Sequence, residues 1–254
     1  MRNFLLWDFD GVIVDSMDEC LLTSYKAFLK FRGKQDAQIK RLDNIPASIR
    51  DEFKRTRQYV RGAGEYVILH EAMLGNEQIK NYDGFNVMLN RFSEIVPEYH
   101  KIFYATREEL RRTDPGYWMD LHSVYPCVQD KWSSLKEHFE FYVVSNKDSD
   151  SIRLILQKNK LQLGQGKIYG MDFSLSKETI IKHILSISGA QAKDVSFLDD
   201  NYYHLLDVSG LGIALYFATW GYGKISRNKN QNIVIVNAET FDKKLVEDHE
   251  NAIC

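Results

Sequence analysis

Two aspartates lie two residues apart, directly after an apolar run near the start of the chain, in FLLWDFDGVIVDS (4–16). The apolar run 4–7 predicts a buried strand. Because side chains alternate along a strand, Asp8 and Asp10 can emerge on one side while Phe9 turns into the core. One carboxylate could then attack phosphorus, while its neighbour transfers a proton to the leaving oxygen and later takes one from water.

Two later apolar runs, 141–144 and 195–198, also end on polar residues. The residues that follow them are Ser145, Asn146 and Lys147 at the first run and Asp199 and Asp200 at the second. In an open α/β sheet, ligands bind at the carboxyl ends of the strands, so these groups should share one edge. Clustered carboxylates beside a low-dielectric core repel one another unless a cation lies among them. Their hard oxygens suit Mg²⁺, and the sequence therefore predicts a Mg²⁺ site.

Groups that could stabilise charge on a transferred phosphoryl group accompany these acids. Gly11 permits backbone amides to approach a reacting group closely. The Ser145 hydroxyl and the metal ion would stabilise negative charge on the equatorial oxygens.

From about residue 124 onward, short β-rich runs alternate with stretches whose apolar residues recur at helical spacing. The predicted strands are 4–7, 141–145, 195–198, 213–218 and 233–236. Such alternation is typical of an α/β fold, and we expect a Rossmann-like, doubly wound parallel sheet with helices on both faces.

Between about residues 17 and 123 strand-like runs nearly vanish, and Glu, Lys, Arg and aromatic residues dominate. Ser16 followed by Glu19 predicts a capping box at the start of a helix. Further helices are predicted at 47–60, 65–74, 84–95, 97–104 and 106–112. We therefore expect a core domain formed by residues 1–16 and 124–254, interrupted by a helical domain, residues 17–123.

This insert contains two basic stretches. Arg57 and Arg61 are four residues apart and are predicted to share one helical face. They could bind a carboxylate or a second phosphate of a substrate, although a solvated helix face is the interpretation that this pattern favours. The segment REELRRT (107–113) is predicted to be such a solvated face.

The bulk composition excludes several classes of protein. The 254 residues are 44% hydrophobic and 27% charged, as in a globular protein with a core. The formal net charge of −2 does not favour nucleic acid or an anionic membrane as a partner. Three widely spaced cysteines, no signal peptide and no membrane span predict a cytoplasmic protein, whose oligomeric state the sequence does not indicate.

The motifs together resemble those of the haloacid dehalogenase-like (HAD) superfamily. DFDGVIVDS (8–16) is similar to its first motif, FYVVSNKD (141–148) to its second and FLDDN (197–201) to its fourth. The stretch TWGYG (219–223) resembles one in the phosphoglycolate phosphatase branch. The resemblance covers nearly the whole core. It implies a HAD fold of the phosphoglycolate phosphatase and β-phosphoglucomutase-like branch, with a helical type 1 cap.

By this resemblance Asp8 is the nucleophile and Asp10 the general acid and base. The Mg²⁺ ligands would be the Asp8 carboxylate, the Asp10 backbone carbonyl and Asp199, with Asp200 in support. Ser145 would hold the phosphoryl group, with Asn146 beside it.

The family also requires a lysine from its third motif. Lys177, in SLSKETIIKHIL, is favoured over Lys167 because it lies at a predicted helix start. The sequence departs from the family pattern in two places: Glu178 stands where proline commonly follows the lysine, and Tyr203 and His204 stand where a second acid often lies.

The function that follows is Mg²⁺-dependent hydrolysis of a small phosphorylated metabolite through an aspartyl-phosphate. A phosphomutase of the β-phosphoglucomutase type is the alternative. A 2-haloacid dehalogenase does not need the second aspartate, so Asp10 argues against that activity. A non-catalytic binding protein has no physical reason to retain clustered acids. The sequence does not identify the substrate.

Overall fold

A computed structural model describes residues 3–34, 38–164, 166–225 and 232–251. The chain divides into two compact units. A core unit comprises Met1–Asp15 and Ser123–Cys254, and a helical unit comprises Ser16–His122. Within the described ranges, no helix is long and apolar enough to cross a membrane.

The core unit contains a six-stranded sheet in which every neighbouring pair of strands is parallel. In chain order the strands of the described residues are β1 Asn3–Trp7, β2 Val14–Asp15, β3 Ser123–Val124, β4 Phe139–Val144, β5 Ile168–Tyr169, β6 Val195–Asp199, β7 Ala214–Ala218 and β8 Ile233–Val236. The order across the sheet is β5-β4-β1-β6-β7-β8, and β2 pairs with β3 in a separate antiparallel ribbon.

Eleven α-helices lie in the described part of the chain, six of them in the helical unit. They are α1 Met17–Phe31, α2 Ala47–Thr56, α3 Tyr66–Leu74, α4 Tyr82–Arg91, α5 Val96–Thr113, α6 Pro115–Asp120, α7 Pro126–His138, α8 Ser149–Lys158, α9 Lys177–Ser188, α10 Tyr202–Asp207 and α11 Phe241–Asn251. The expectation of an α/β core with a parallel sheet and an inserted helical domain is confirmed.

Both faces of the sheet are covered, as a doubly wound fold requires. On β1, Leu6 lies in a buried cluster with Ile184 of α9 and Leu205 of α10. The next side chain, Trp7, points to the opposite face, where its ring lies 5.7 Å from that of Trp132 of α7 and 6.1 Å from that of Phe241 of α11. Successive apolar residues of β1 are therefore buried on opposite faces of the sheet, which explains the uninterrupted apolar run.

The register of the sheet brings three strand ends together. Trp7 of β1 pairs with Val143 of β4 on one side and with Leu198 of β6 on the other. The residues that follow these three strands consequently lie at one edge, in the middle of the sheet.

In the helical unit, three of our local predictions are wrong. Helix α5 runs unbroken from Val96 to Thr113, where two helices were expected. Helix α1 begins at Met17 as predicted, but the Ser16 side chain makes no capping hydrogen bond, so there is no capping box. Helix α2 ends at Thr56 and Val60 has an extended backbone, so Arg57 and Arg61 do not share a helical face.

Residues 107–113 are not a wholly solvated face either, because Arg107 is buried. Its Nε and Nη2 atoms donate to the two carboxylate oxygens of Glu19 at 2.9 and 2.8 Å. Glu19 also accepts from the Thr23 hydroxyl at 2.8 Å. The side chain that we expected to cap α1 instead joins α1 to α5 through a bidentate ion pair.

His70 of α3 is a buried packing residue of the helical unit. Its ring stacks at 5.1 Å on Phe28 and at 5.9 Å on Phe53, and its Nε2 lies 3.0 Å from the Ser24 hydroxyl. Burial lowers the pKa of His70 from 6.5 to about 3. Below pH 6.5 the unfolded chain therefore takes up a proton that the folded chain does not accept until about pH 3.

This shift predicts that the free energy of unfolding falls as the pH drops from 6.5 towards 3. At pH 4.5, two units below the ordinary pKa, the expected loss attributable to His70 is about 2–3 kcal/mol. Denaturant unfolding at pH 7 and pH 4.5 measures it. His70→Asn should show a pH dependence smaller by that amount, whereas His138→Asn, at an exposed position, should not. An unchanged pH dependence in His70→Asn would contradict the assignment.

Candidate active site

Asp8 follows the last residue of β1 and lies in the middle of the sheet edge. Its backbone N–H donates to the Leu198 carbonyl at 2.9 Å, which continues the ladder to β6. The side chain is buried, with the residue 6% exposed. Burial and the nearby charges of Asp199 and Asp200 raise the pKa of Asp8 well above its ordinary value, against the opposing effect of Lys177. The site therefore favours a positive charge beside this carboxylate.

Lys177 supplies such a charge. It is the first residue of α9, whose N-cap Ser176 accepts a hydrogen bond from the Thr179 N–H at 3.2 Å. Its Nζ lies 2.9 Å from Oδ1 of Asp8 and 2.6 Å from Oδ2 of Asp199. Burial alone would lower the pKa of Lys177, but the charges of Asp199 and Asp8 outweigh burial and raise it. The lysine is thus held protonated between two acids from neighbouring strands.

Asp199, the last residue of β6, is fully buried and heavily hydrogen-bonded. Its Oδ2 accepts from Lys177 and lies 3.2 Å from Nδ1 of His204, and its Oδ1 accepts from the Asn201 N–H at 2.7 Å. Burial would raise the pKa of Asp199, but Lys177 and His204 more than offset it and lower the pKa. Asp199 is therefore ionised and already has three hydrogen-bonding partners.

Asp200 is held by a different part of the chain, the TWGYG segment that follows β7. Its Oδ2 accepts from the N–H groups of Tyr222 and Gly223 at 2.6 and 3.2 Å. Gly221 packs so closely that an added Cβ would lie 2.3 Å from the carbonyl oxygen of Gly11 and 2.4 Å from Cβ of Asp200. The segment thus holds the acid of one strand end against the turn that follows β1.

Asp10 and Gly11 lie in that turn. The Phe9 carbonyl accepts from the N–H groups of Ile13 and Val14, both at 3.0 Å, and Phe9 is buried as predicted. Gly11 has φ = +92°, a conformation that L side chains rarely adopt. Oδ1 of Asp10 lies 3.2 Å from Nζ of Lys147.

The end of β4 contributes Ser145 and Asn146. Ser145 is 2% exposed, and its N–H donates to the Tyr169 carbonyl of β5 at 3.0 Å. Its hydroxyl oxygen accepts from the Lys147 N–H at 3.2 Å. Asn146 is half-buried beside it.

The structure separates the two candidate lysines of the third motif. Lys167 forms an ion pair with Glu140 and bonds the Tyr142 hydroxyl at 2.6 Å, in the earlier part of β4 rather than at its carboxyl end. Lys177, by contrast, contacts Asp8 directly.

Arg57 and Arg61 belong to the helical unit. The Arg61 N–H donates to the Glu65 carboxylate at 2.7 Å, and Nη1 of Arg57 donates to the Val60 carbonyl at 3.1 Å. Burial raises the pKa of Glu65, while both arginines act to lower it. The charges of both arginines therefore act on one carboxylate, although not through the helical spacing that we expected.

Three features of the site were not assigned from the sequence: the contact of His204 with Asp199, the backbone cradle of the 219–223 segment around Asp200, and the burial of Lys147. In the sequence, His204 is visible only as a departure from the family pattern and TWGYG only as a similarity to it. Lys147 follows a strand end directly, so its position was visible, but nothing in the sequence distinguishes a buried lysine from a solvated one.

The charges of the cluster indicate what it could bind. Asp8, Asp10, Asp199 and Asp200 face two buried lysines, Lys147 and Lys177, which leaves an excess of two negative charges if all are ionised. Most of the available donors are hard carboxylate oxygens. Ligand atoms of Asp8, Asp199 and His204, the last a ring nitrogen, lie within 4.8 Å of one another. A divalent cation such as Mg²⁺ fits both the charge and the donor chemistry.

The chain was compared with known proteins. No protein-family model matches it, and no curated protein matches it in sequence. Solved structures do match it over nearly their whole length. A protein of Clostridium acetobutylicum described as a predicted phosphatase is 18% identical, with a TM-score of 0.64, over 97% of this chain and 99% of that chain.

Two further structures show the same likeness. A protein of Haemophilus somnus described as a predicted phosphoglycolate phosphatase is 16% identical, with a TM-score of 0.62, over 96% of this chain and 98% of that one. A haloacid dehalogenase-like hydrolase of Streptococcus pneumoniae is 15% identical, with a TM-score of 0.60, over 96% of this chain and 98% of that one. At such identities the likeness shows the fold. The chain has the fold of the HAD superfamily, which confirms the resemblance of its motifs at that level.

Proposed function

We propose that this protein is a phosphomonoester hydrolase that uses Asp8 as nucleophile. The observation that carries the proposal is the pairing of the Asp8 carboxylate with the buried Lys177 at 2.9 Å, at the edge where Asp10, Asp199 and Asp200 also converge. Such a constellation places a positive charge beside a buried carboxylate and surrounds it with groups that match a phosphoryl group. The shared fold with proteins described as phosphatases supports the same conclusion.

In the proposed reaction, an oxygen of Asp8 attacks the phosphorus of a phosphate monoester, and the bond to the alcohol oxygen breaks. Asp10 donates a proton to that oxygen as it leaves. Water then attacks the phosphorus of the aspartyl-phosphate while Asp10 takes its proton, which releases inorganic phosphate and regenerates Asp8. Lys177 and the Ser145 hydroxyl offer positive charge and a hydrogen-bond donor to the phosphoryl oxygens.

Mg²⁺ is the proposed cofactor, and it would neutralise negative charge on the phosphoryl group when bound. Asp8, Asp10, Asp199 and Asp200 are the residues that would hold it. Asp199 already accepts from Lys177 and Asn201. Asp200 accepts from the N–H groups of Tyr222 and Gly223, so a bound ion would share the oxygens of both acids with their present donors.

The helical unit is proposed to act as the cap, residues 17–123, that selects a small phosphorylated metabolite. Arg57 and Arg61 are proposed to bind an anionic group of that substrate, with Gly11 and Asn146 near the phosphoryl group. The proximity of both arginines to Glu65 means that an anion would compete with this carboxylate for them.

The proposal is tested by phosphate release from a panel of sugar phosphates, bisphosphates, nucleotides and an aryl phosphate. We expect release from at least one compound with Mg²⁺, loss of that release in EDTA, and recovery when Mg²⁺ is added in excess. A rate that EDTA leaves unchanged would contradict the metal site. Interconversion of phosphate isomers without release of phosphate would identify a mutase instead.

A further inference from the structure

Lys147 is a buried lysine at the end of β4 to which the proposed reaction assigns no step. The residue is 1% exposed and its side chain has no exposed surface. Its Nζ lies 3.2 Å from Oδ1 of Asp10, whose side chain is 15% exposed. Burying an ammonium group is costly unless an acid compensates it, so this contact accounts for the position of the lysine.

The backbone of Lys147 is also fixed on both sides. Its N–H donates to the Ser145 hydroxyl at 3.2 Å, and its carbonyl accepts from the Met171 N–H at 3.1 Å. Gly170 lies so close that an added Cβ would be 2.4 Å from the Lys147 carbonyl oxygen and 2.7 Å from the Ser149 nitrogen. The loop after β5 thus packs directly on the backbone that carries this lysine, and the ammonium group is held by a well-supported segment.

Each of the two acids of the first motif therefore has a buried lysine of its own. Lys177 lies beside Asp8, the proposed nucleophile, and Lys147 lies beside Asp10, the proposed acid and base. A group that transfers a proton must hold its carboxylate within hydrogen-bonding reach of the leaving oxygen, and small displacements reduce the rate strongly. A hydrogen bond to one oxygen of Asp10 restricts rotation of that carboxylate.

We propose that Lys147 is a positioning residue that orients the Asp10 carboxylate for proton transfer. The proposal rests on the proposed function, because it presupposes that Asp10 transfers the proton. With no exposed surface, Lys147 acts through Asp10 rather than on the substrate. Its removal should lower the rate of the chemical step and leave substrate binding largely unchanged.

A double-mutant cycle tests this coupling with any substrate that the panel identifies. Lys147→Met, which keeps the length of the side chain but not its donor, should lower kcat by about ten- to a hundredfold with little change in KM. In an Asp10→Asn background the same substitution should cause no further loss. Lys147→Gln retains an N–H donor and should lose less than Lys147→Met, and Lys167→Met, as the control, should keep the wild-type rate. Losses that add independently of Asp10, or an unchanged kcat, would overturn the proposal.

A crystal structure of Lys147→Met gives a readout that does not depend on activity. The Asp10 carboxylate should adopt a different or mixed orientation, while the positions of Asp8 and Lys177 are retained. If Asp10 keeps its orientation in that variant, the inference is wrong even where turnover is measurable. If the wild-type protein hydrolyses no compound of the panel, the proposed function fails, but this structure still decides whether Lys147 orients Asp10. Should Lys147→Met not fold, Lys147→Gln is used for the same comparison.

Discussion

Asp8→Asn is expected to lose phosphate release by roughly a thousandfold or more, because an amide cannot act as the attacking carboxylate. The two side chains have nearly the same size, so the substitution should leave the turn after β1 in place. Asp10, Lys177 and Ser145 would remain in place, but without the nucleophile no aspartyl-phosphate can form.

The same substitution should stabilise the fold when no divalent cation is bound. Burial, Asp199 and Asp200 raise the pKa of Asp8 above its ordinary value of 3.8, against Lys177. The folded carboxyl group therefore holds its proton to a higher pH than the unfolded one, so its contribution to stability falls as the pH rises above 3.8. At neutral pH the neutral asparagine removes this penalty.

Thermal unfolding in EDTA and in Mg²⁺, together with phosphate release, measures both effects. Asp8→Asn should unfold at a higher temperature than the wild type in EDTA, and Mg²⁺ should stabilise it less than it stabilises the wild type. Asp51→Asn, at an exposed position of α2, is the matched control and should change neither quantity. Retained turnover in Asp8→Asn would contradict the proposed mechanism. An unfolding temperature of Asp8→Asn below that of the wild type in EDTA would contradict the electrostatic explanation.

The longer strands of the core and the residues at their ends could be predicted, because a buried strand of this fold appears in the sequence as an apolar run. Asp8, directly after β1, and Asp199, at the end of β6, interrupt such runs, which is why their positions indicated chemistry. Strand β5 was missed because Ile168 and Tyr169 are only two residues, too short for any periodic pattern.

Two of the errors in the helical unit, those at Glu19 and Arg107, have one cause, because a tertiary contact outweighed the local signal. Glu19 has the spacing of a capping residue, but its carboxylate accepts two hydrogen bonds from the buried guanidinium of Arg107 instead. Arg107 lies in a charged stretch that is typical of a solvated face, and only a partner from α1 explains its burial. Lys147 is the equivalent case in the core unit, because its burial depends on Asp10, 137 residues away in the sequence.

Lys177→Met is the second substitution for which we expect a large effect, and it should act on activity and stability together. The lysine is 5% exposed and lies between Asp8 and Asp199. Its removal leaves two buried carboxylates without their nearest cation, and breaking a buried ion pair in this way costs about 3–5 kcal/mol. It also removes a positive charge from the phosphoryl site, which should lower kcat by roughly a hundredfold or more.

Lys182→Met is the matched control, because Lys182 lies on the same helix, is exposed and pairs with Glu178 one turn earlier. It should retain activity and unfold at nearly the wild-type denaturant concentration, whereas Lys177→Met should unfold at a clearly lower one in EDTA. The decisive comparison is the double variant Asp8→Asn, Lys177→Met. If the lysine stabilises the fold by compensating the acids, removing the Asp8 charge should restore part of the lost free energy of unfolding. Additive effects of the two substitutions would instead mean that Lys177 stabilises the fold by packing. The contact of Lys177 with Asp8 would then contribute no electrostatic stabilisation, and the electrostatic explanation of the site would be wrong.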